Sequence, residues 1–69
     1  MNAERFLRLP EVETTTGLKR AQLYALAKAG IFPRPIKLGA RASAWLQSEV
    51  ADWMHAKVHA SRPSAEERQ

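Results

Sequence analysis

Glycine and proline cut this chain into short pieces. Breakers stand at Pro10, Gly17, Gly30, Pro33, Pro35 and Gly39. Proline fixes φ and removes a backbone donor, and glycine weakens any helix interior. No long helix or long central strand can therefore cross the first forty residues. The longest stretch free of both residue types is Ala40 to Arg62. The whole chain is 69 residues, one domain's worth, with 45% hydrophobic residues, which is enough to fold. A fold of this size hides only about 60% of the surface its unfolded chain exposes. That argues against an enzyme with a deep pocket of its own. Cysteine is absent, so no disulfide or thiolate cluster reinforces it.

Between the breakers the elements can be read off. Arg5 to Leu9 alternates weakly, as a short extended segment does. Pro10 suits the first turn of a helix, and Glu11 and Glu13 carry the favourable charge there. This first helix is expected over Pro10–Thr16, with Val12 inward and Gly17 closing it. Leu18 anchors the turn. A second helix fits Arg20–Ala29, where Leu23, Leu26 and Ala27 share one face, and Gly30 ends it. Two short helices joined by about three residues containing glycine are a helix-turn-helix signature. Pro33 and Pro35 forbid a helix next. Ile36-Lys37-Leu38 and Ala42 to Leu46 then read as a hairpin turning at Gly39-Ala40. Ser48 is the expected N-cap of a third helix over Glu49–His59, with Val50, Trp53, Met54 and Val58 at helical spacing. The fold class expected is mainly α with a small β-hairpin, a winged helix-turn-helix over residues 1–59. Residues 60–69 are polar and aperiodic and are expected to form a flexible tail.

Charge locates the function. The chain carries a net +4 from eleven Lys and Arg against seven Asp and Glu. No acid occurs between Glu13 and Glu49, while Lys19, Arg20, Lys28, Arg34, Lys37 and Arg41 all fall there. The cationic part is thus the middle, and both flanks are close to neutral. A basic surface of this kind suits nucleic acid. No apolar run approaches the roughly 18 residues of a membrane span. Met1 to Arg8 lacks the apolar core of a signal peptide, so a cytoplasmic, nucleoid-associated protein with no membrane partner is expected.

In a winged layout the second helix enters the major groove with its N-terminal residues toward base edges. Lys19, Arg20 and Gln22 stand at that end, and Tyr24 and Lys28 can face outward further along. Arginine matches guanine O6/N7 and glutamine matches adenine N6/N7. Lys37 and Arg41 on the wing, and Arg34 between its two prolines, are candidates for phosphates or the minor groove. Two roles are open to Tyr24: packing on Leu38 or the first helix, or touching a phosphate. Trp45 and Trp53 read as core, because a small domain needs large side chains to fill its interior. His55 and His59 are spaced i, i+4, but Ala56 stands where a catalytic glutamate would, and no third ligand is evident. No metal, cofactor or catalytic group is expected.

Several runs resemble AlpA-family prophage transcriptional regulators. They are Arg5-Phe6-Leu7-Arg8-Leu9-Pro10-Glu11-Val12, then Thr16-Gly17-Leu18 ahead of a helix with Leu23-Tyr24. Gly30-Ile31-Phe32-Pro33-Arg34-Pro35-Ile36-Lys37-Leu38-Gly39 is the most specific. Ala40-Arg41-Ala42, Trp45, Ser48-Glu49-Val50 and Trp53 complete a resemblance over about residues 4–58. It implies a MerR-like or excisionase-like winged helix-turn-helix that binds double-stranded DNA. The recognition helix carried over is Lys19 to Ala29, and the wing is Lys37 to Ser43, which adds Ser43 to the DNA-binding set. The family often has Ser at position 19, Ser or Thr at 21 and 22, and a base at 25. Here stand Lys19, Ala21, Gln22 and Ala25, so one cap and one phosphate contact of the family pattern are missing.

The function expected is sequence-specific regulation of prophage or mobile-element transcription. The alternative the resemblance offers is an excisionase that bends DNA for an integrase partner. A protein-interaction adaptor is disfavoured by the basic outer face of the second helix. One small module covers little DNA, so a homodimer or cooperative assembly on DNA is expected.

Overall fold

The computed structural model describes residues 4–62. Along the chain run β1 (Phe6–Leu7), α1 (Leu9–Thr16), α2 (Arg20–Lys28), β2 (Ile36–Gly39), β3 (Ala42–Leu46) and α3 (Gln47–Ser61). The strands form one antiparallel sheet in the order β1-β3-β2. This is the expected mainly helical, winged helix-like fold. One addition is the pairing of β1. The extended segment before α1 lies alongside β3, with Phe6 opposite Leu46 and Leu7 opposite Trp45.

α1 starts where the sequence carries Pro10 and an acid. The Glu11 carboxylate accepts the Arg8 backbone N–H at 3.0 Å and the Arg5 guanidinium at 2.8 Å, which satisfies one of the free donors at the helix start. Threonine is a weak helix former, but here its hydroxyls fold back onto the helix. Thr14 Oγ1 donates to the Pro10 carbonyl at 2.9 Å and Thr16 Oγ1 to that of Val12 at 2.7 Å. Gly17 then takes φ 80°, a left-handed conformation that glycine adopts freely, and ends the helix.

α2 ends in a Schellman motif. The Ile31 N–H reaches the Leu26 carbonyl at 2.9 Å, and the Gly30 N–H reaches that of Ala27 at 3.1 Å. Gly30 supplies the left-handed residue, at φ 81°.

The core gathers Leu7, Val12, Leu23, Phe32, Trp45 and Val50. Trp45 is its centre. Its ring meets the rings of Tyr24, 5.7 Å between centroids, and Phe32, 6.3 Å. Its Nε1–H donates to the Pro33 carbonyl at 2.8 Å. Phe32 in turn packs edge-on against Trp53 at 4.9 Å. One aromatic chain therefore ties α2, the proline loop, β3 and α3 together.

Four expectations need adjusting. Ser48 is not the cap of the third helix. α3 begins at Gln47 directly from β3, with Leu46 in the N-cap position. The Gln47 N–H donates to the Arg5 carbonyl at 2.8 Å, so the backbone before β1 satisfies one of the free donors at the helix start. Leu38 is not half-buried either. The β2–β3 register slips between Lys37 and Gly39, and the extra residue leaves Leu38 43% exposed. Val58 also faces outward. Lastly, α3 continues through Ala60 and Ser61, where a tail was expected; the rest of that expected tail, residues 63–69, lies outside the described residues.

Candidate nucleic-acid interface

Turning 100° per residue, α2 sorts its side chains into distinct stripes. Leu23 and Ala27 point inward and are buried. Ala21 and Ala25 lie on the opposite crest and are exposed. Arg20, Tyr24 and Lys28 follow one another at i, i+4, i+8 along one flank, and Gln22 occupies the other.

The flank with Tyr24 turns toward the hairpin. The Arg20 guanidinium carbon sits 5.6 Å from the Tyr24 ring centre, a cation–π contact, and Tyr24 meets Trp45 edge-on. Tyr24 thus packs on Trp45, whereas Leu38 or α1 had been expected, and it keeps 37% of its surface exposed. Strand side chains alternate faces, so Ser43 shares the Trp45 face of β3. Lys37 stands directly opposite Ser43 on β2 and projects on that same face. Arg20 and Tyr24 on α2 thus reach β3 through the Tyr24–Trp45 contact, Lys37 and Ser43 lie on the Trp45 face of the hairpin, and helical spacing adds Lys28. Arg41 lies in the two-residue turn at the hairpin tip and is exposed. Lys19 precedes α2 as its N-cap residue. Arg34 is exposed in the proline loop, and no contact joins it to this row.

Lysine has no acceptor, so Lys19 cannot cap as serine would. Gln22 compensates. Its Oε1 accepts the Lys19 backbone N–H at 3.0 Å. Thr16 takes no part in this cap, since its Oγ1 accepts the Leu18 N–H at 3.2 Å inside the turn. Gln22 therefore has a structural task that its position did not announce. One Oε1 lone pair and both amide hydrogens stay free for a partner.

Charge is arranged to match. Among the described residues the one ion pair is Arg5–Glu11. All six cations of the acid-free segment are exposed and stand without a carboxylate partner among the described residues. The acids lie elsewhere, Glu11 and Glu13 on α1 and Glu49 and Asp52 on α3. Arg8 is a basic residue that composition did not single out. Its Nε–H donates to the Ser43 carbonyl at 3.0 Å, across a separation of 35 residues. Only knowledge of the β1–β3 register could have located it.

The family model described as "Prophage CP4-57 regulatory protein (AlpA)" matches residues 5–58. The chain belongs to the AlpA family. The shared region holds α1, α2, the sheet and most of α3. A protein of Enterobacteria phage P4, described as uncharacterized protein ORF88, is 47% identical over 55 residues. That alignment covers 80% of this chain, and the chain spans 62% of the phage protein's length. The DNA-binding transcriptional activator AlpA of Escherichia coli K12 is 32% identical over 59 residues, 77% of this chain and 84% of that one. No helix among the described residues is long and apolar enough to cross a membrane.

Proposed function

We propose that this chain binds double-stranded DNA and thereby regulates transcription of prophage or mobile-element genes. In this reading α2 enters the major groove and the β2–β3 hairpin lies on the backbone or in the minor groove. The observation that carries it is the set of exposed cations on α2 and the hairpin, without a carboxylate partner among the described residues, on two elements joined by the Tyr24–Trp45 contact. A surface free of carboxylates neutralises phosphates without internal competition. The family relative named as a DNA-binding transcriptional activator supports the same conclusion.

Each residue has a part. Ala21 and Ala25 form a low crest that lets the α2 backbone approach the base edges. Arg20 and Gln22 read bases from either flank of that crest. Lys19, Lys28, Arg34, Lys37 and Arg41 hold phosphates, Tyr24 and Ser43 add hydroxyls, and two copies occupy neighbouring half-sites. Five cationic phosphate contacts correspond to a slope of about −4.5 for log affinity against log salt.

Selection of bound sequences from random duplex DNA at physiological salt tests this. One enriched motif is expected. Recovery of no motif would remove the specific regulatory reading.

A further inference from the structure

Arg8 stands where β1 ends and α1 begins. Continuing the register of Phe6 with Leu46 and Leu7 with Trp45, the chain would next set Arg8 opposite Ala44. The backbone instead turns into α1, and the Arg8 side chain takes over the pairing. Its Nε–H binds the Ser43 carbonyl at 3.0 Å, a group the strand no longer reaches. Ser43 is also the residue opposite Lys37. One level of the sheet therefore carries a cation on each side of β3, Arg8 on one and Lys37 on the other.

We propose that Arg8 is a DNA-phosphate contact at the root of the wing, held in position by the Ser43 carbonyl. This rests on the DNA-binding reading above. A guanidinium has five N–H donors in a fixed fork, and a bond through Nε leaves the outer edge facing away from the bonded group. Here the Nη donors make no hydrogen bond among the described residues, and Arg8 is exposed. It is also unneutralised. Glu11 is close enough to accept the Arg8 backbone N–H, but its other oxygen is paired with Arg5. The side chain thus keeps full charge and four free donors in a set orientation, as bidentate phosphate binding requires. A purely architectural arginine would spend those donors on protein acceptors.

Glutamine separates the two roles, because its Nε2 sits the same number of bonds from the backbone as arginine Nε. Arg8→Gln keeps a donor for the Ser43 carbonyl and removes the charge. Full-length wild type, Arg8→Gln, Arg8→Lys and Arg41→Ala are titrated with one selected duplex by fluorescence anisotropy over a range of salt, and melted by circular dichroism. Arg8→Gln is expected to melt near wild type, to bind about five-fold more weakly at 0.15 M salt, and to flatten the salt slope by about 0.9. Arg8→Lys is expected to keep the wild-type slope. Should Arg8→Gln bind with unchanged affinity and slope while Arg41→Ala loses both, Arg8 is only a strand clamp and the proposal falls, with DNA binding intact. If Arg8→Gln fails to fold, Arg8→Lys decides through affinity: a bidentate contact loses about two- to three-fold with the slope kept, and a folded variant that binds as tightly as wild type at every salt overturns it. A wild type that binds no duplex overturns the DNA-binding reading and this proposal together.

Discussion

Gln22 shows how one side chain can serve both the fold and the partner. Its Oε1 caps the start of α2 through the Lys19 N–H, and the rest of the amide faces out. Gln22→Glu keeps the acceptor and adds a negative charge at a helix N-terminus, worth about 0.3–1 kcal/mol in favour of folding. The same charge opposes DNA. The variant should therefore melt at or above the wild-type temperature and bind DNA more weakly, two readouts moving in opposite senses. Arg41, at the hairpin tip, is exposed and makes no ion pair among the described residues. Arg41→Ala should leave the melting temperature unchanged, weaken all duplexes alike, and flatten the salt slope by about one unit. Residues of this kind were legible in the sequence because charge and helical spacing need no tertiary knowledge. Val12, Leu23 and Trp45 were legible too, as apolar positions on periodic elements. Arg8 and the capping role of Gln22 were not. Each depends on a bond whose partner is chosen by the folded backbone.

Among the elements, the turn between α1 and α2 sets the angle at which α2 is offered. Gly17 stands at φ 80°, and an added Cβ there would meet no atom within 4 Å. The cost of Gly17→Ala is accordingly conformational, about 1–2 kcal/mol. For a domain of this size that lowers the melting temperature by about 4–8 °C per kcal/mol, measured by circular dichroism. Ser48 gives the contrasting case. Sequence rules make it a cap, and capping serines lose about 1 kcal/mol on replacement by alanine. The structure puts it inside the first turn of α3, behind a Gln47 N–H already bound to Arg5. Ser48→Ala should change stability by less than about 0.5 kcal/mol, as surface substitutions do. A loss near 1 kcal/mol in denaturant melts would restore the cap. The misreading has a physical source: cap preferences assume a helix entered from a loop, and α3 is entered from a strand.

At the scale of the molecule, acids and bases are sorted by element. α1 and α3 carry Glu11, Glu13, Glu49 and Asp52, and α2 with the hairpin carries cations and no acid. Trp45, wholly buried on β3, joins the hairpin to α2 through its contact with Tyr24. The central claim is that this face is where DNA binds. Amide chemical-shift mapping of the full chain, titrated with a selected duplex, tests it most directly. Shifts concentrated in Lys19–Lys28 and Lys37–Ser43, with the exposed face of α3 unchanged, are the predicted result. Shifts confined to α3 and the outer surface of α1, with α2 silent, would contradict it.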